Sequence, residues 1–423
     1  LAENRHPTRD DLDKVSKDKP IYLIHVSAHL GSANSAALAA LGIDENTPNP
    51  EGGVFRRYPN STKPNGVVEE SASHMMMGSH LFSDLKNPLK LIETIDKTFE
   101  YIASFGITTM QDGASDHRLV TALRAFDLVR NVPLDTVVFQ AAKDGSMPLP
   151  LKKLQKKTDG TYRGNARLGG VKLILDGSPQ GRTAWLTQPY HENPTGIDGP
   201  YSAYPTSKPA LFKQTTKQLL QNRIPILVHA NGDAAIDLAM DAVEEAFAGQ
   251  AIPDHRSVII HSQVMRPDQL ERAAKLKMVP SFFVSHTFFW GDWHRKSFGE
   301  QRAAHISPAQ SAIDKGVHFT LHNDAPVVPP DMLHLMWTAV NRHTRSGFVL
   351  GPDQRISPYD ALYALTLGGA YQYFEEDIKG SLTVGKQADL VILDKNPLAI
   401  DPLKIKDIAV LETIAHGKTI FRL

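Results

Sequence analysis

From about residue 90 onward, short β-branched segments alternate with segments of helical period, and no other feature constrains the fold as strongly. The strand candidates are Ile107–Gln111, Thr136–Gln140, Val171–Leu175, Ile224–Val228, Ser257–Ile260, Met278–Val284 and Val317–Leu321. Between them run amphipathic helices. One carries Ile92, Ile95, Phe99 and Ile102 and stops at Gly106; another carries Ile236, Ala239, Met240, Val243 and Phe247, with Asp233 as N-cap. A third follows Pro267–Asp268 through Leu270, Ala273, Ala274 and Leu276. Strand–helix alternation implies parallel strands under covering helices, as a doubly wound sheet or a (β/α)8 barrel. Seven units fall one short of a closed barrel.

The two ends read differently. In residues 1–90, Ile21–Val26 is a strand and the Pro-, Gly- and Asn-rich stretch Thr47–Asn65 is irregular loop, as in an inserted or flanking lobe. Residues 91–375 form the barrel, ending in a helix over Pro358–Tyr373. Residues 376–423 alternate in strand period over Asp389–Leu393, Val410–Ala415 and Thr419–Arg422, forming part of a small β-sandwich.

Composition narrows the function. Lys and Arg total 46 against 46 Asp and Glu, so the basic excess of an electrostatic nucleic-acid binder is missing. No apolar run is long enough to cross a bilayer, which disfavours a membrane partner. Cys is absent, which removes disulfides, thiolate zinc sites and Cys nucleophiles and is compatible with any compartment. The expected partner is a small-molecule substrate, and a homo-oligomer is compatible with the composition. The Lys152, Lys153, Lys156, Lys157 cluster reads as a solvated face.

In parallel α/β folds the chemistry sits where the strands end. Lys172 lies within Gly-Gly-Val-Lys-Leu-Ile-Leu-Asp, His229 ends Ile-Leu-Val-His, His261 ends Val-Ile-Ile-His, and Asp324 follows Phe-Thr-Leu-His-Asn. Two imidazoles, a carboxylate and a lysine at four strand ends make a site for zinc, or for iron or manganese. Each also has a plainer reading. A lone strand-end His is more often a hydrogen-bonded structural residue, and Asp324 before Ala-Pro can simply begin a turn. Lys172 is harder to dismiss, because a buried ammonium must be paired or chemically modified.

The stretches Pro7–Leu23, His29–Leu38, Val171–Leu186, Val228–Asp237, Asn323–Asp331 and Lys379–Leu398 together resemble amidohydrolase family 3 of the amidohydrolase superfamily. The resemblance covers nearly the whole chain. It implies a distorted (β/α)8 barrel with a small β-sandwich and an inserted lobe. It also implies a metal-dependent hydrolase cleaving an amide-type C–N bond, with one or two divalent metal ions. In that reading Lys172 is a carboxylated lysine, a carbamate formed with CO2. His229 and His261 are ligands, and Asp324 is both ligand and proton acceptor. His29, Arg182, His286 and Trp290 are candidate substrate contacts, with Trp293 beside them. Arg182 could equally form a salt bridge within its loop, and the aromatic residues could merely pack the barrel rim.

The chain departs from the family in three places. It has no His-x-His pair, which the resemblance places on a first barrel strand upstream of Leu1. An alternative takes Ile21–Val26 as that strand, with His25 and His29 on one face, although the resemblance assigns the segment to the lobe. His322 and Asn323 replace Gly-Ser before Asp324, and Ile260 replaces Glu before His261; both changes alter the surroundings of the ligands. A one-metal site of His229, His261 and Asp324, and a non-catalytic scaffold that binds or regulates, are the competing readings. His416–Thr419 lacks the upstream glycine of a phosphate loop, and neither Gly-x-Ser-x-Gly nor His-Glu-x-x-His occurs.

Overall fold

The computed structural model describes residues 5–78, 88–130, 132–142 and 145–423. Four strands of the N-terminal region, β1 (Tyr22–Ile24), β2 (Leu30–Ala33), β3 (Gly53–Arg57) and β4 (Pro64–Glu70), form an antiparallel sheet in the order β1-β2-β4-β3. The next seven are β5 (Thr109–Ser115), β6 (Asp135–Ala141), β7 (Ala166–Ile174), β8 (Ile226–Ala230), β9 (Val258–His261), β10 (Val279–Phe282) and β11 (Thr320–Leu321). They pair in parallel and in unbroken sequence order, the neighbour relation of a barrel. This curled sheet is a half-barrel, because β5 and β11 do not pair with each other among the described residues. Finally β12 (Leu390–Leu393), β13 (Val410–Ala415) and β14 (Lys418–Arg422) make a small antiparallel sheet. It is tied to the barrel where Thr413 Oγ1 donates to the Ala103 carbonyl at 2.7 Å. No helix among the described residues is long and apolar enough to cross a membrane.

Several expectations shift. The segment Ile21–Val26 yields β1, which pairs antiparallel with β2 and belongs to the lobe sheet. Thr47–Asn65 is not all loop: Gly53–Arg57 holds a strand because β4 supplies it with a ladder. The helix over Pro358–Tyr373 breaks at Thr366 into Pro358–Leu365 and Leu367–Gln372. Asp233 is the first residue of helix Asp233–Ala246, with Gly232 at the cap. Its carboxylate accepts instead from the Thr187 amide at 2.9 Å and pairs with Arg266 at 3.0 Å.

Alternation along the strands sorts residues onto two faces. Val138, Leu173, Ile226, Val228 and Ile259 pack outward under the helices in the main core. Val137, Phe139, Leu227, Val258, Ile260 and Val279 form a separate apolar cluster on the other face, the floor of the concave side. Each fully buried side chain of this size contributes roughly 1.5–3 kcal/mol. By the same period Lys172 and His229 face the concave side. His261 should not, because Ile259 with the same parity points outward. Its backbone is left-handed, with φ 78°, and this turn re-aims its ring at His229.

Candidate metal centre

The concave side gathers histidines at the strand ends. The rings of His229 and His261 meet edge-on at 4.5 Å, and those of His261 and His322 lie 5.0 Å apart. His261, His322 and Asp324 each offer one ligand atom, all within 4.8 Å of one another. His322 Nε2 stands 3.1 Å from His261 Nδ1, and its Nδ1 is 2.9 Å from Ser281 Oγ on β10. Asp324 also sits on a left-handed backbone, with φ 54°, and its carboxylate is reachable by solvent.

Burial sets the electrostatics. It pushes His229 and His261 well below the ordinary imidazole range and His322 down to about 3, so all three rings are neutral at pH 7. Neutral imidazole is the form that binds metal. Burial also lowers Lys172 to about 8, against the opposing pull of Asp324 and Asp112. Lys172 in turn depresses both His229 and His261. The structure therefore brings Lys172, His229, His261 and Asp324 to one place.

Behind His229 lies Asp176, completely buried. Its carboxylate accepts from the backbone amides of Trp185 (3.0 Å), Asn231 (2.9 Å) and Gly232 (2.7 Å). Burial lifts this carboxyl to about 7 against those three donors. Asp176 Oδ1 is 3.2 Å from His229 Nδ1 without hydrogen-bond alignment, so that buried nitrogen has no partner among the described residues. A nitrogen- and oxygen-rich cluster of neutral rings with an orphaned ring nitrogen suits a divalent cation.

The lobe covers this floor. His29 stacks 4.9 Å from His229, and its Nδ1 lies 2.6 Å from Glu70 Oε2 at the end of β4. Burial lowers His29, but the Glu70 carboxylate outweighs it and raises the ring above its ordinary value. Glu70 Oε1 is buried and unpartnered among the described residues.

The other expected contacts lie further out. Arg182, Trp290 and Trp293 line a cavity of about 510 Å³, together with His25, Arg56 and Glu69 of the lobe. The cavity wall does not include the histidines of the centre. Trp290 links the two, lying 4.7 Å from His286, which packs 4.6 Å from Phe283. Arg182 is engaged within the protein: it donates to Ser297 Oγ at 3.0 Å, pairs with Glu192 at 3.2 Å, and lies 4.5 Å over Trp293.

Sequence reasoning passed over His322 as a ligand, and over Asp176, Glu70 and His294 altogether. Each had a signal. His322 lies two residues before Asp324, Asp176 ends the apolar run Leu-Ile-Leu, and Glu70 ends the run Val-Val-Glu-Glu.

A sequence model of the amidohydrolase family matches residues 1–421. The chain belongs to that family. Among curated relatives, the N-substituted formamide deformylase of Arthrobacter pascens is 27% identical over 99% of this chain and 76% of its own length. The putative amidohydrolase YtcJ of Bacillus subtilis is 26% identical over 98% of this chain and 76% of its own. Among solved structures, an uncharacterized metal-dependent hydrolase from Pyrococcus furiosus superposes with a TM-score of 0.66 at 27% identity, covering 93% of this chain and 76% of that one. This amidohydrolase thus spans about three-quarters of the length of these proteins, and the resemblance read from its motifs holds.

Proposed function

We propose that this amidohydrolase cleaves an amide-type C–N bond of a small molecule by hydrolysis, using a divalent metal held by His229, His261, His322, Asp324 and Lys172. The convergence of neutral histidines and Asp324 at the strand ends carries this reading. Zinc suits the donor set best, with iron or manganese as alternatives. When bound, such an ion supplies Lewis acidity and lowers the pKa of a water from 15.7 to about 7.

The chain's own groups supply the rest. Asp324, open to solvent, is placed to accept a proton from the attacking water and return it to the leaving nitrogen. Asp176, held by three amides, stands 3.2 Å behind the His229 ring. Lys172, with its lowered pKa, retains a fraction of free amine near neutrality. That amine can add to CO2, releasing a proton and turning a buried cation into an anionic oxygen ligand. Likeness to the formamide deformylase favours N-acyl or N-formyl compounds as substrates.

The test is metal analysis of the purified protein beside a screen of N-acyl and N-formyl compounds with and without chelator. Near-stoichiometric metal and chelator-sensitive turnover are expected, with Asp324→Asn about 10²–10⁴-fold slower. A protein that holds no metal and turns nothing over would favour the non-catalytic scaffold. A one-metal centre is the second reading within the enzyme class, favoured by the compactness of the His261, His322 and Asp324 group. Mass spectrometry of Lys172 separates the two, since the two-metal version needs the added carboxyl.

A further inference from the structure

Helix His286–Phe298 begins directly after β10 and presents two histidines two turns apart. His286 Nδ1 and His294 Nε2 are 2.9 Å from each other, and the two rings lie nearly parallel, with centroids 5.1 Å apart. His294 stacks on Phe298 at 5.3 Å, and both histidines are buried. Burial drives His286 well below its ordinary range and His294 down to about 3, so neither ring is charged at pH 7.

A neutral pair shares one proton across that 2.9 Å contact, and there are two ways to place it. If His286 Nδ1 donates, the proton of His294 must sit on its Nδ1. That nitrogen is sealed from solvent and has no partner among the described residues. A buried N–H left without an acceptor forfeits its hydrogen bond to water and gains none in return. If His294 Nε2 donates instead, its Nδ1 carries only a lone pair, and unsatisfied acceptors are tolerated better than unsatisfied donors. The second arrangement then puts the proton of His286 on Nε2. This nitrogen has no partner among the described residues and is not among the sealed atoms, and the Trp290 ring lies 4.7 Å from the His286 ring.

We propose that His294 fixes the tautomer of His286, so that His286 offers an Nε2–H donor to the substrate oxygen that gains negative charge during hydrolysis. The donation rests on the hydrolase reading above; the tautomer assignment does not. His294 is a positioning residue, since it contacts His286 and is not itself among the residues that line the cavity. No proton changes owner in this role. The donor strengthens as charge develops on the oxygen, which is how oriented N–H groups lower barriers.

The experiment uses the full chain labelled with ¹⁵N-histidine. Long-range proton–nitrogen correlation spectra, with His286→Asn to assign the signal, report the tautomer directly and need no turnover. The expected result is a single Nε2–H form of His286 in the wild type and a mixture in His294→Phe, which keeps the stack but removes the donor. His294→Gln restores an amide N–H near the same place and should restore the single form. Kinetically, His294→Phe should lower kcat about 10- to 100-fold with little change in KM, and His294→Gln should recover most of it. An Nδ1–H signal for His286 in the wild type would overturn the proposal, as would His294→Phe turning over at the wild-type rate. Wild-type protein that shows the Nε2–H form but hydrolyses nothing removes the hydrolase reading, and the catalytic role with it, while the tautomer assignment stands.

Discussion

Two histidine–carboxylate pairs face each other across the centre, His229–Asp176 from the barrel and His29–Glu70 from the lobe, with the histidine rings 4.9 Å apart. They are made of nearly the same parts and end in opposite states. The barrel carboxylate is occupied by three backbone amides and misaligned with its histidine, so burial wins and His229 stays neutral. The lobe carboxylate accepts from no amide among the described residues and sits 2.6 Å from its histidine, so charge pairing wins and the His29 ring is raised above its ordinary value. One lesson follows: a carboxylate next to a histidine does not make it a cation unless that carboxylate is free to serve it. In the proposed function the barrel pair keeps a neutral ring for a cation, while the lobe pair favours the charged form of its ring.

The largest test of this contrast is Asp176→Ala against Glu70→Ala. Removing Asp176 strands three buried amides at about 1–3 kcal/mol each, so a loss of at least about 3 kcal/mol is expected in urea unfolding. Removing Glu70 strands none and should cost clearly less. Equal losses would break the comparison. Next comes Gly232→Ala, where a Cβ would stand 1.9 Å from the Trp185 carbonyl oxygen in the loop that wraps Asp176. Overpacking here should cost about 1–3 kcal/mol, seen as a lower Tm. Gly369→Ala, with nothing within 4 Å and a helical setting, should be neutral or slightly stabilising.

The two kinds of histidine also differ in sign with pH. His255, half-buried on the barrel, is held down to about 4 from 6.5 by desolvation. Between those values the unfolded chain binds more protons than the folded one, so stability rises with pH there and falls on acidification. Replacing His255 by Gln should flatten that limb by something on the order of 2 kcal/mol, read from urea midpoints between pH 4 and pH 7. His29 runs the other way. Its raised value gives stability that is fully present below 6.5 and is lost as pH climbs through the folded value. Glu70→Gln should abolish that alkaline loss, and an unchanged profile would show that the pair carries no charge. The smallest expected effect is at the surface. Changing Lys152, Lys153 and Lys156 together to Ala should alter stability by less than about 0.5 kcal/mol and leave activity unchanged.

The strand–helix alternation was legible because burial on both faces writes continuous β-branched runs, and every one of the seven runs contains part of an observed strand. His229 and Lys172 were legible for the same reason, as polar residues breaking such runs on the concave parity. Asp176 was not singled out, although it ends an apolar run, because its partners are backbone amides, which carry no side-chain signature. Glu70 and β3 were missed because the lobe strands owe their form to antiparallel neighbours rather than to their own composition. His294 was hidden in helical period, where a histidine eight residues from another reads as ordinary packing.

His261 and Asp324 both sit on left-handed backbone, a conformation that costs a residue with a side chain roughly 1–2 kcal/mol. Glycine would relieve that cost at either position, yet histidine and aspartate stand there. Under the proposed function, the centre is therefore a place where resistance to heat and turnover pull in opposite directions. Variants selected only for survival at high temperature should drift towards glycine or asparagine at these two positions, growing hardier as they lose turnover.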